Sequence, residues 1–577
     1  MPGFTFVLHS HIPYCRQTGR WPHGEEWIHE AIAETYLPLL TSLFRMYDDG
    51  IPFRLTVGIT PVLAEQLADQ DIQDHFVLYV AERMKAADAD IARFGRTGRE
   101  PDPARHALAT WYRDWYAAGR DAFTGRFGGD LVGAFRALQD AGLVEIATSA
   151  ATHGYLPLLA TDNAIAAQLA TATRAYRRFF GRPPRVFWLP ECAYRPGYVV
   201  FDTRSGMAGP AAGERQLIRP GLEDFLEREG LRLFFVETHA ITGGAPVGKA
   251  AGDAIGLYAA VPERELLAIQ SPIVPPKAMT TYHPYLVGDS KVAAVGRDNQ
   301  TSMQVWSSVI GYPGDPVYRE FHQKDPESGL QYWRVTGADV PLGAKALYDP
   351  LAAAARVQAH AEHFVGVVEA TAADFEAEYG QGLIAANYDT ELFGHWWFEG
   401  PQWLEAVLRR MCLSTTVTLT AAGAWLAGHP PAERAAILEG SWGSGGTHHT
   451  WNNLQNAWIW PLVHGAERRM VELATRWPDA GGPRRDILNQ AARELLLLQS
   501  SDWPFLMSTG QAESYASLRF TEHLAKFNRL AYLAEAPVPA PEAAEVVAVT
   551  WEQDKVFADI DYRDWATGGL PGDGATD

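Results

Sequence analysis

The sequence has few cysteines, no excess of basic residues and no long apolar run, and each absence excludes a class of protein. Its 577 residues include three cysteines, Cys15, Cys192 and Cys412, without a CxxC pair. A disulfide framework is therefore not expected, and a reducing compartment fits best. The N-terminal text MPGFTFVLHSHIPY lacks a basic start, a long apolar stretch and a small-residue cleavage site. No stretch reaches the roughly 18 apolar residues of a membrane span. These features predict a cytoplasmic protein.

The charge balance is acidic, with 49 Lys and Arg against 69 Asp and Glu and a net charge of −20. Nucleic acids and anionic membranes bind basic surfaces, so neither is expected as a partner. A neutral sugar polymer remains compatible with this balance. The 19 tryptophans are part of a heavy aromatic load, and most of them are expected to pack in the core. Several stand in loop-like text, where an indole can contact a sugar ring. The length favours one large domain with an appended one.

Short apolar runs recur through the first 400 residues, each followed by polar text and then by helical periodicity. The runs are FTFVL (4–8), FRLTV (53–57), LVEIAT (143–148), RVFWL (185–189), LRLFFV (231–236), KVAAV (291–295) and LIAAN (383–387). This alternation is typical of a parallel α/β barrel, and seven runs are one short of eight.

The spacing of these runs predicts the domain organisation. Residues 1–403 form the barrel domain, with helical insertions at about 62–142 and 196–228. Apolar residues recur at three and four through 404–535, which predicts a C-terminal helical domain contributing to the cleft. Residues 536–577 begin with APVPAPEAAE and are predicted to be a linker and C-terminal tail.

Polar residues follow nearly every predicted strand. They are His9 and His11, His153, Glu191, Glu237 and His239, Arg297 and Asp298, and Asp389 and Glu391. Parallel barrel strands end at one mouth, where barrel active sites lie. Two acids there, Glu191 and Asp389, suit retaining glycosyl transfer, in which one attacks the sugar and the other acts as acid and base. The alternative is that one of them only pairs with Arg195 or Arg297.

Two further features leave alternatives open. His9 and His11 lie on one strand two residues apart, so both could reach one metal ion, as in a metal hydrolase, or donate hydrogen bonds to a sugar. The Gly-rich text EGSWGSGGTHHTWNN carries Trp442 and Trp451, which either cover the barrel mouth or pack between domains. Asp502 in SSDWPFLM is either a helix cap or a ligand-facing residue.

Five long motifs carry a resemblance to a known family. HSHIPY (9–14), ATHGYLP (151–157), WLPECAY (188–194), YDTELFGHWWFEGP (388–401) and SWGSGGTHHTWNN (441–453) resemble the conserved motifs of glycoside hydrolase family 57. VWSSVIGYPGDPVYREFH (305–322) and SSDWPF extend the resemblance over nearly the whole chain. Within the family, the 1,4-α-glucan branching enzymes are the most similar.

The resemblance implies a fold and a reaction. The fold is an incomplete (β/α)7 TIM-like barrel with an inserted helical segment and a C-terminal α-helical domain. Glu191 is the nucleophile and Asp389 the acid/base of a retaining reaction that cleaves α-1,4 bonds and transfers the chain to a 6-hydroxyl, forming the α-1,6 branches of glycogen. No metal or other cofactor is implied, which favours a sugar-contacting role for His9 and His11. A monomer acting on amylose or glycogen is expected.

The resemblance also implies a set of substrate-binding residues. Arg297, Gly314, Trp442 and Asp502 fall where the family's branching enzymes contact substrate, and the remaining positions are His9, His11, His153, Trp21, Trp306, Trp451 and, in the loop after His239, Tyr258. Three alternatives remain: a family relative that mainly hydrolyses α-glucans or transfers them as a 4-α-glucanotransferase, a glucan-binding protein without activity, and the metal hydrolase on His9 and His11.

Overall fold

The computed structural model describes residues 1–20, 22–95, 101–201, 216–246, 274–307, 311–537 and 541–566. The chain forms two compact units. Among the described residues, the first unit comprises 1–146 and 297–429, and the second comprises 147–246, 274–296 and 430–566. Within these ranges, every helix is too short or too polar to cross a bilayer.

The strands, in chain order, are β1 (Gly3–Ser10), β2 (Leu55–Ile59), β3 (Val144–Ala147), β4 (Val186–Phe187), β5 (Tyr198–Phe201), β6 (Gln216–Arg219), β7 (Leu233–Val236), β8 (Tyr285–Val287), β9 (Ala293–Gly296), β10 (Leu383–Asp389), β11 (Thr418–Leu419) and β12 (Arg434–Ala435). The helices are α1 (Glu25–Ala31), α2 (Leu37–Asp48), α3 (Pro61–Ala68), α4 (Gln70–Phe94), α5 (Pro103–Asp121), α6 (Leu131–Asp140), α7 (Asp162–Phe180), α8 (Leu222–Arg228), α9 (Thr238–Thr242), α10 (Asn299–Trp306), α11 (Pro350–Tyr379), α12 (Gly400–Met411), α13 (Ala422–Gly428), α14 (Ile459–Arg476), α15 (Gly482–Leu498), α16 (Asp502–Thr509), α17 (Glu513–Glu535) and α18 (Glu542–Gln553).

The first unit is built on a sheet in the order β10-β1-β2-β3, with β11 also paired to β1. β1 pairs in parallel with β10, β2 and β11. Every residue of β1 is buried, which is why its text FTFVL is continuously apolar rather than alternating. The parallel register sets His9 beside Asp389, so these two strand ends lie next to each other.

The second unit has its own sheet, in the order β12-β8-β9-β7-β4. β7 pairs in parallel with β4 and with β9, whereas β8 is antiparallel to β9. A separate antiparallel pair consists of β5 and β6. The chain therefore is an α/β protein with parallel sheet in both units and a C-terminal run of helices from α14 to α18.

All seven predicted strands occur, as β1, β2, β3, β4, β7, β9 and β10. The strands that the sequence did not indicate are β5, β6, β8, β11 and β12, which have two to four residues each and are too short for a recognisable pattern.

Two of three predicted segments differ from their expected secondary structure. Residues 62–142 hold helices α3 to α6 as expected for the first insertion. The second insertion was expected to be helical, but 196–228 contains the β5–β6 pair before α8, because YVVF consists of β-formers and QLIR pairs with it. The predicted linker and tail is also wrong in part, since α18 begins at Glu542, where alanine and glutamate favour a helix.

The helix at residue 404 belongs to the first unit. α12 begins at Gly400 and lies within the range that groups with β1 and β10. Its Trp403 is fully buried, with its ring 6.0 Å from Phe6 and 4.9 Å from Phe364. Burial of this aromatic side chain against the β1 core ties α12 to the sheet, so the helical run of the second unit starts later, within 430–566.

Candidate active site

Glu191 stands in a turn with an unusual backbone. β4 ends at Phe187, and the turn Pro190–Cys192 follows two residues later. Glu191 has φ 61° and ψ 25°, and Cys192 has φ 49°. Side chains other than glycine rarely adopt this left-handed region, and such residues cluster where the surrounding structure holds a functional group in place.

Both carboxylate oxygens of Glu191 accept hydrogen bonds. Trp442 Nε1 donates to Oε2 at 2.6 Å, and Ser501 Oγ donates to Oε1 at 3.1 Å. The Trp442 backbone N–H also donates to the Glu191 carbonyl at 3.1 Å. The Glu191 side chain is 13% exposed, so it is held in place but still reachable. Donors on both oxygens stabilise the ionised form and fix its orientation.

His153 completes this cluster through Ser501. Its Nδ1 lies 2.8 Å from Ser501 Oγ and 3.8 Å from Glu191 Oε1. Because the serine hydroxyl donates to Glu191, its lone pair is available to accept from a protonated His153 Nδ1. The Ser501 backbone N–H donates to the His153 carbonyl at 3.1 Å, which fixes the two segments together. Trp442 and His153, which the sequence predicted, and Ser501, which it did not, thus position one carboxylate.

Ser501 is a site residue that the sequence did not reveal. The text SSDWPF directs attention to Asp502, because an acid at a helix start has a recognised role. In the structure, Asp502 is the first residue of α16, is partly exposed, and accepts a hydrogen bond from Ser500 Oγ at 2.5 Å. In the sequence, a serine that precedes a helix is most simply read as a helix cap. The sequence carries no sign that Ser501 donates a hydrogen bond to the distant Glu191.

The Gly-rich loop brings Trp442 and Trp451 into the interior of the second unit. Trp442 is 2% exposed, with its ring 5.2 Å from Trp188, and Trp451 is 1% exposed and stacks on Tyr155 at 4.6 Å. A Cβ at Gly443 would lie 2.4 Å from the Trp451 ring, so glycine permits this close approach. Both indoles are therefore buried, where the sequence left open whether they cover the barrel mouth or pack between domains.

Asp389 and its neighbours form a second acidic cluster, in the first unit. Asp389 ends β10 and is half-buried, beside His9 of β1 in the parallel register. The ring centroids of His9 and His11 are 6.2 Å apart and the rings nearly parallel. His11 Nδ1 lies 3.0 Å from Thr60 Oγ1. The sequence-predicted residues His9, His11 and Asp389 are thus brought together.

Glu391 is a buried acid two residues beyond Asp389. Its Oε1 accepts a hydrogen bond from the His11 backbone N–H at 3.1 Å and another from the Tyr36 hydroxyl. Burial raises the pKa of Glu391 to about 7, and the Asp389 charge adds to this, while the Tyr36 hydrogen bond opposes it. A carboxyl so placed supports the strand end next to Asp389.

Three further predicted residues lie in the first unit. Arg297 is fully buried, and its charge acts on the Tyr388 hydroxyl. Trp306 is 6% exposed and its Nε1 donates to the Asn387 carbonyl of β10 at 3.0 Å, so its indole N–H is used within the fold. Gly314 closes the turn Tyr312–Gly314. Trp21 and Tyr258 lie outside the described residues.

The described ranges contain one group of three possible metal ligands, Glu494, His523 and Asp554, all buried. Lys526 Nζ lies 2.5 Å from Asp554 Oδ2, so an ammonium group already supplies the positive charge there. Among the described residues, His9 and His11 have no third ligand within such a group.

These features define an α/β protein whose strand ends carry acidic clusters. Residues 5–410 match the sequence family described as Glycosyl hydrolase family 57, and residues 462–565 match the one described as 1,4-alpha-glucan branching enzyme, C-terminal. The chain belongs to glycosyl hydrolase family 57, which confirms the resemblance drawn from its motifs.

The similar proteins cover nearly the whole chain. The 1,4-alpha-glucan branching enzyme TK1436 of Thermococcus kodakarensis is 42% identical over 92% of this chain and 74% of its own length. Its crystal structure in complex with glucose has a TM-score of 0.86 and 39% identity over 99% of this chain and 97% of that one. The alpha-amylase AmyC of Thermotoga maritima has a TM-score of 0.79 and 28% identity, over 99% and 100% of the two chains.

Proposed function

We propose that this protein is a 1,4-alpha-glucan branching enzyme that works by retaining double displacement. The observation that carries the proposal is Glu191, a carboxylate in a left-handed turn with a donor on each oxygen. The similarity to the branching enzyme of Thermococcus kodakarensis, at 42% identity, supports the choice of reaction.

In the first half-reaction, Glu191 attacks the anomeric carbon of an α-1,4-linked glucose and Asp389 protonates the departing glycosidic oxygen. A covalent glucanyl ester on Glu191 results, and the reducing-side chain leaves. In the second half, Asp389 removes the proton from a glucose 6-hydroxyl, whose oxygen displaces Glu191 and forms the α-1,6 bond. Retention requires the two carboxyl groups to work roughly 5–5.5 Å apart on opposite faces of the sugar.

The donors around Glu191 have a specific task in this scheme. Before attack, Trp442 Nε1 and Ser501 Oγ stabilise the carboxylate and orient it. When one oxygen becomes the ester oxygen, the hydrogen bond to that oxygen weakens, whereas the other can persist on the ester carbonyl. The two donors thus orient the nucleophile before it attacks.

The remaining assignments extend the proposal to the glucan. We propose that the substrate contacts Arg297, Gly314, Trp442, Asp502, His9, His11, His153, Trp21, Trp306, Trp451 and Tyr258. The strands are proposed to form an incomplete barrel of seven β/α units, and the protein is proposed to be a cytoplasmic monomer. Sedimentation at several concentrations tests the last point, since a concentration-dependent mass would contradict it.

The test of the function is a product analysis on amylose. The enzyme should lower iodine staining and create α-1,6 bonds, counted as chains released by a debranching enzyme, with few new reducing ends. Glu191→Gln and Asp389→Asn should abolish this reaction, whereas the exposed Glu378→Gln serves as the matched control. A donor with a good leaving group, such as a glucosyl fluoride, should restore glycosylation in Asp389→Asn but not in Glu191→Gln. Activity in either variant on amylose would overturn the roles.

A hydrolase is the second candidate. The similarity to AmyC, an alpha-amylase at 28% identity over essentially both chains, favours it. Hydrolysis replaces the 6-hydroxyl acceptor by water, so the same product analysis separates the candidates. New reducing ends that outnumber new branches would favour the hydrolase, and unbranched chains of altered length would favour 4-α-glucan transfer.

A further inference from the structure

The first unit carries a groove between α2, α5 and α12, which we call the helical groove. Its cavity has a volume of about 580 Å³, and it is lined by Arg45, Trp115, Ala118, Phe398, Glu405 and Arg410, among others. This volume lies in the range of small-molecule sites, which combine aromatic walls with a few polar groups. The described lining contains none of the residues proposed above for catalysis or substrate binding.

The floor of the helical groove is aromatic and fixed. The ring of the half-buried Trp115 lies 5.3 Å from that of Phe398. Beneath, the guanidinium carbon of Arg319 lies 4.0 Å from the centre of the Phe398 ring. A cation held against one face orients the ring. The half-buried Trp115 indole thus offers an apolar surface to the C–H face of a sugar ring.

The wall of the groove is a preorganised polar array. Glu405 accepts from Arg45 at 2.8 Å on Oε2 and from Arg409 Nε at 3.0 Å on Oε1. Arg409 also reaches Asp49 at 2.5 Å. Charged groups that are already paired can still share hydrogen bonds with hydroxyl groups, and they lose little entropy on binding because they are already ordered.

The lining of the groove offers both donors and acceptors of hydrogen bonds. The three arginines Arg45, Arg409 and Arg410 face two carboxylates, Glu34 and Glu405, which also line the groove. Glu34 is buried beside Arg319, at 3.3 Å. An anion can use only the guanidinium groups, whereas a polyhydroxyl ligand can donate to the carboxylates and accept from the guanidinium groups.

We propose that the helical groove binds a second segment of neutral α-glucan chain, separate from the segment that reacts. The choice of α-glucan rests on the proposed function, and the groove itself rests on the aromatic floor and the arginine–glutamate wall. A polymer held at a second point presents its other segments at raised effective concentration. The groove would therefore favour long chains and leave the chemical step unchanged.

The test fills the groove in one variant and removes its aromatic floor in another. Ala118 is exposed on α5 and lines the groove, so Ala118→Trp should occupy it, while Trp115→Ala should remove the floor. The control is Arg113→Ala on the same helix, at a residue that pairs with neighbouring Asp114. We expect both groove variants to raise KM for long amylose about tenfold, with kcat and the KM for maltoheptaose within about twofold of the parent.

A binding measurement separates this inference from the proposed function. Maltoheptaose is titrated into Glu191→Gln protein, with and without Ala118→Trp, by calorimetry. Loss of one of two binding events in the groove variant supports the inference even if the parent enzyme proves not to branch amylose. An unchanged isotherm, an equal KM effect on long and short chains, or displacement of maltoheptaose by millimolar inorganic phosphate would overturn it.

Discussion

Replacing Glu391 by glutamine removes one buried carboxyl group while keeping the shape of the side chain. The amide oxygen can still accept from the Tyr36 hydroxyl and the His11 N–H. Burial, with the neighbouring Asp389 charge, raises the pKa of Glu391 from its ordinary 4.5 to about 7. The variant therefore isolates the ionisation of one group, and its effect on stability must depend on pH.

The sign and size of the effect follow from that pKa. Between pH 4.5 and 7 the folded protein holds a proton on Glu391 that the unfolded chain has released. The stability from this group is complete below pH 4.5 and is lost as pH rises through 7. The difference between the ordinary pKa of 4.5 and the raised pKa of about 7 corresponds to roughly 3 kcal/mol of unfolding free energy. Glutamine has no proton to lose, so Glu391→Gln should gain about that much stability relative to the parent between pH 4.5 and 8.

Calorimetric unfolding of the full chain at closely spaced pH values measures this difference. A gain of this size corresponds to about 5 °C in the transition that contains the first unit. Glu378→Gln, at an exposed position on α11, controls for the loss of one charge from an acidic protein. A difference between Glu391→Gln and the parent that stays constant with pH would refute the reasoning, since a fixed offset reports packing rather than ionisation.

Three further predictions concern hydrogen bonds to buried or partly buried carboxylates. Ser501→Ala and Trp442→Phe each remove one hydrogen-bond donor to Glu191. In steady-state kinetics on amylose, each variant should lower kcat by about 10- to 100-fold with little change in KM. A variant that keeps the parental kcat would contradict the positioning role of its side chain. Lys526→Met leaves Asp554 buried without its ammonium partner and should cost about 3–5 kcal/mol of stability. Lys526→Arg, which retains the charge, should recover most of the loss in thermal unfolding, and equal losses in both variants would assign the effect to shape.

Strands were predictable here because their sequence signal is local. β1, β7 and β10 are buried on both faces, so each reads as an unbroken apolar run. The two-residue strands β11 and β12 exist only through their partners β1 and β8. Their own residues carry too little pattern to be distinguished from loops. A strand whose formation depends on pairing with a distant strand cannot be predicted from two residues alone.

Residue types at strand ends can be read from the sequence, whereas the geometry of the candidate site cannot. Strand ends point to Glu191, Asp389, His9 and His153, because parallel strands bring their carboxyl ends to one edge. The left-handed φ of Glu191 has no counterpart in its sequence, since glutamate gives no sign of adopting it. The burial of Trp451 has no clear sign in the sequence either: the glycines that precede it suggest an open loop, whereas Gly443 allows the indole to pack closely.

The environment of Glu191 is assembled from segments far apart in the chain. Its two donors lie 251 and 310 residues further on, and the second, Ser501, falls within the C-terminal region 462–565. A chain ending after 429 would retain Glu191 and Asp389 but lose both donors to the proposed nucleophile. The C-terminal helices therefore cannot be regarded as an appendage to a self-sufficient catalytic domain, because they supply the hydroxyl that joins His153 to the carboxylate.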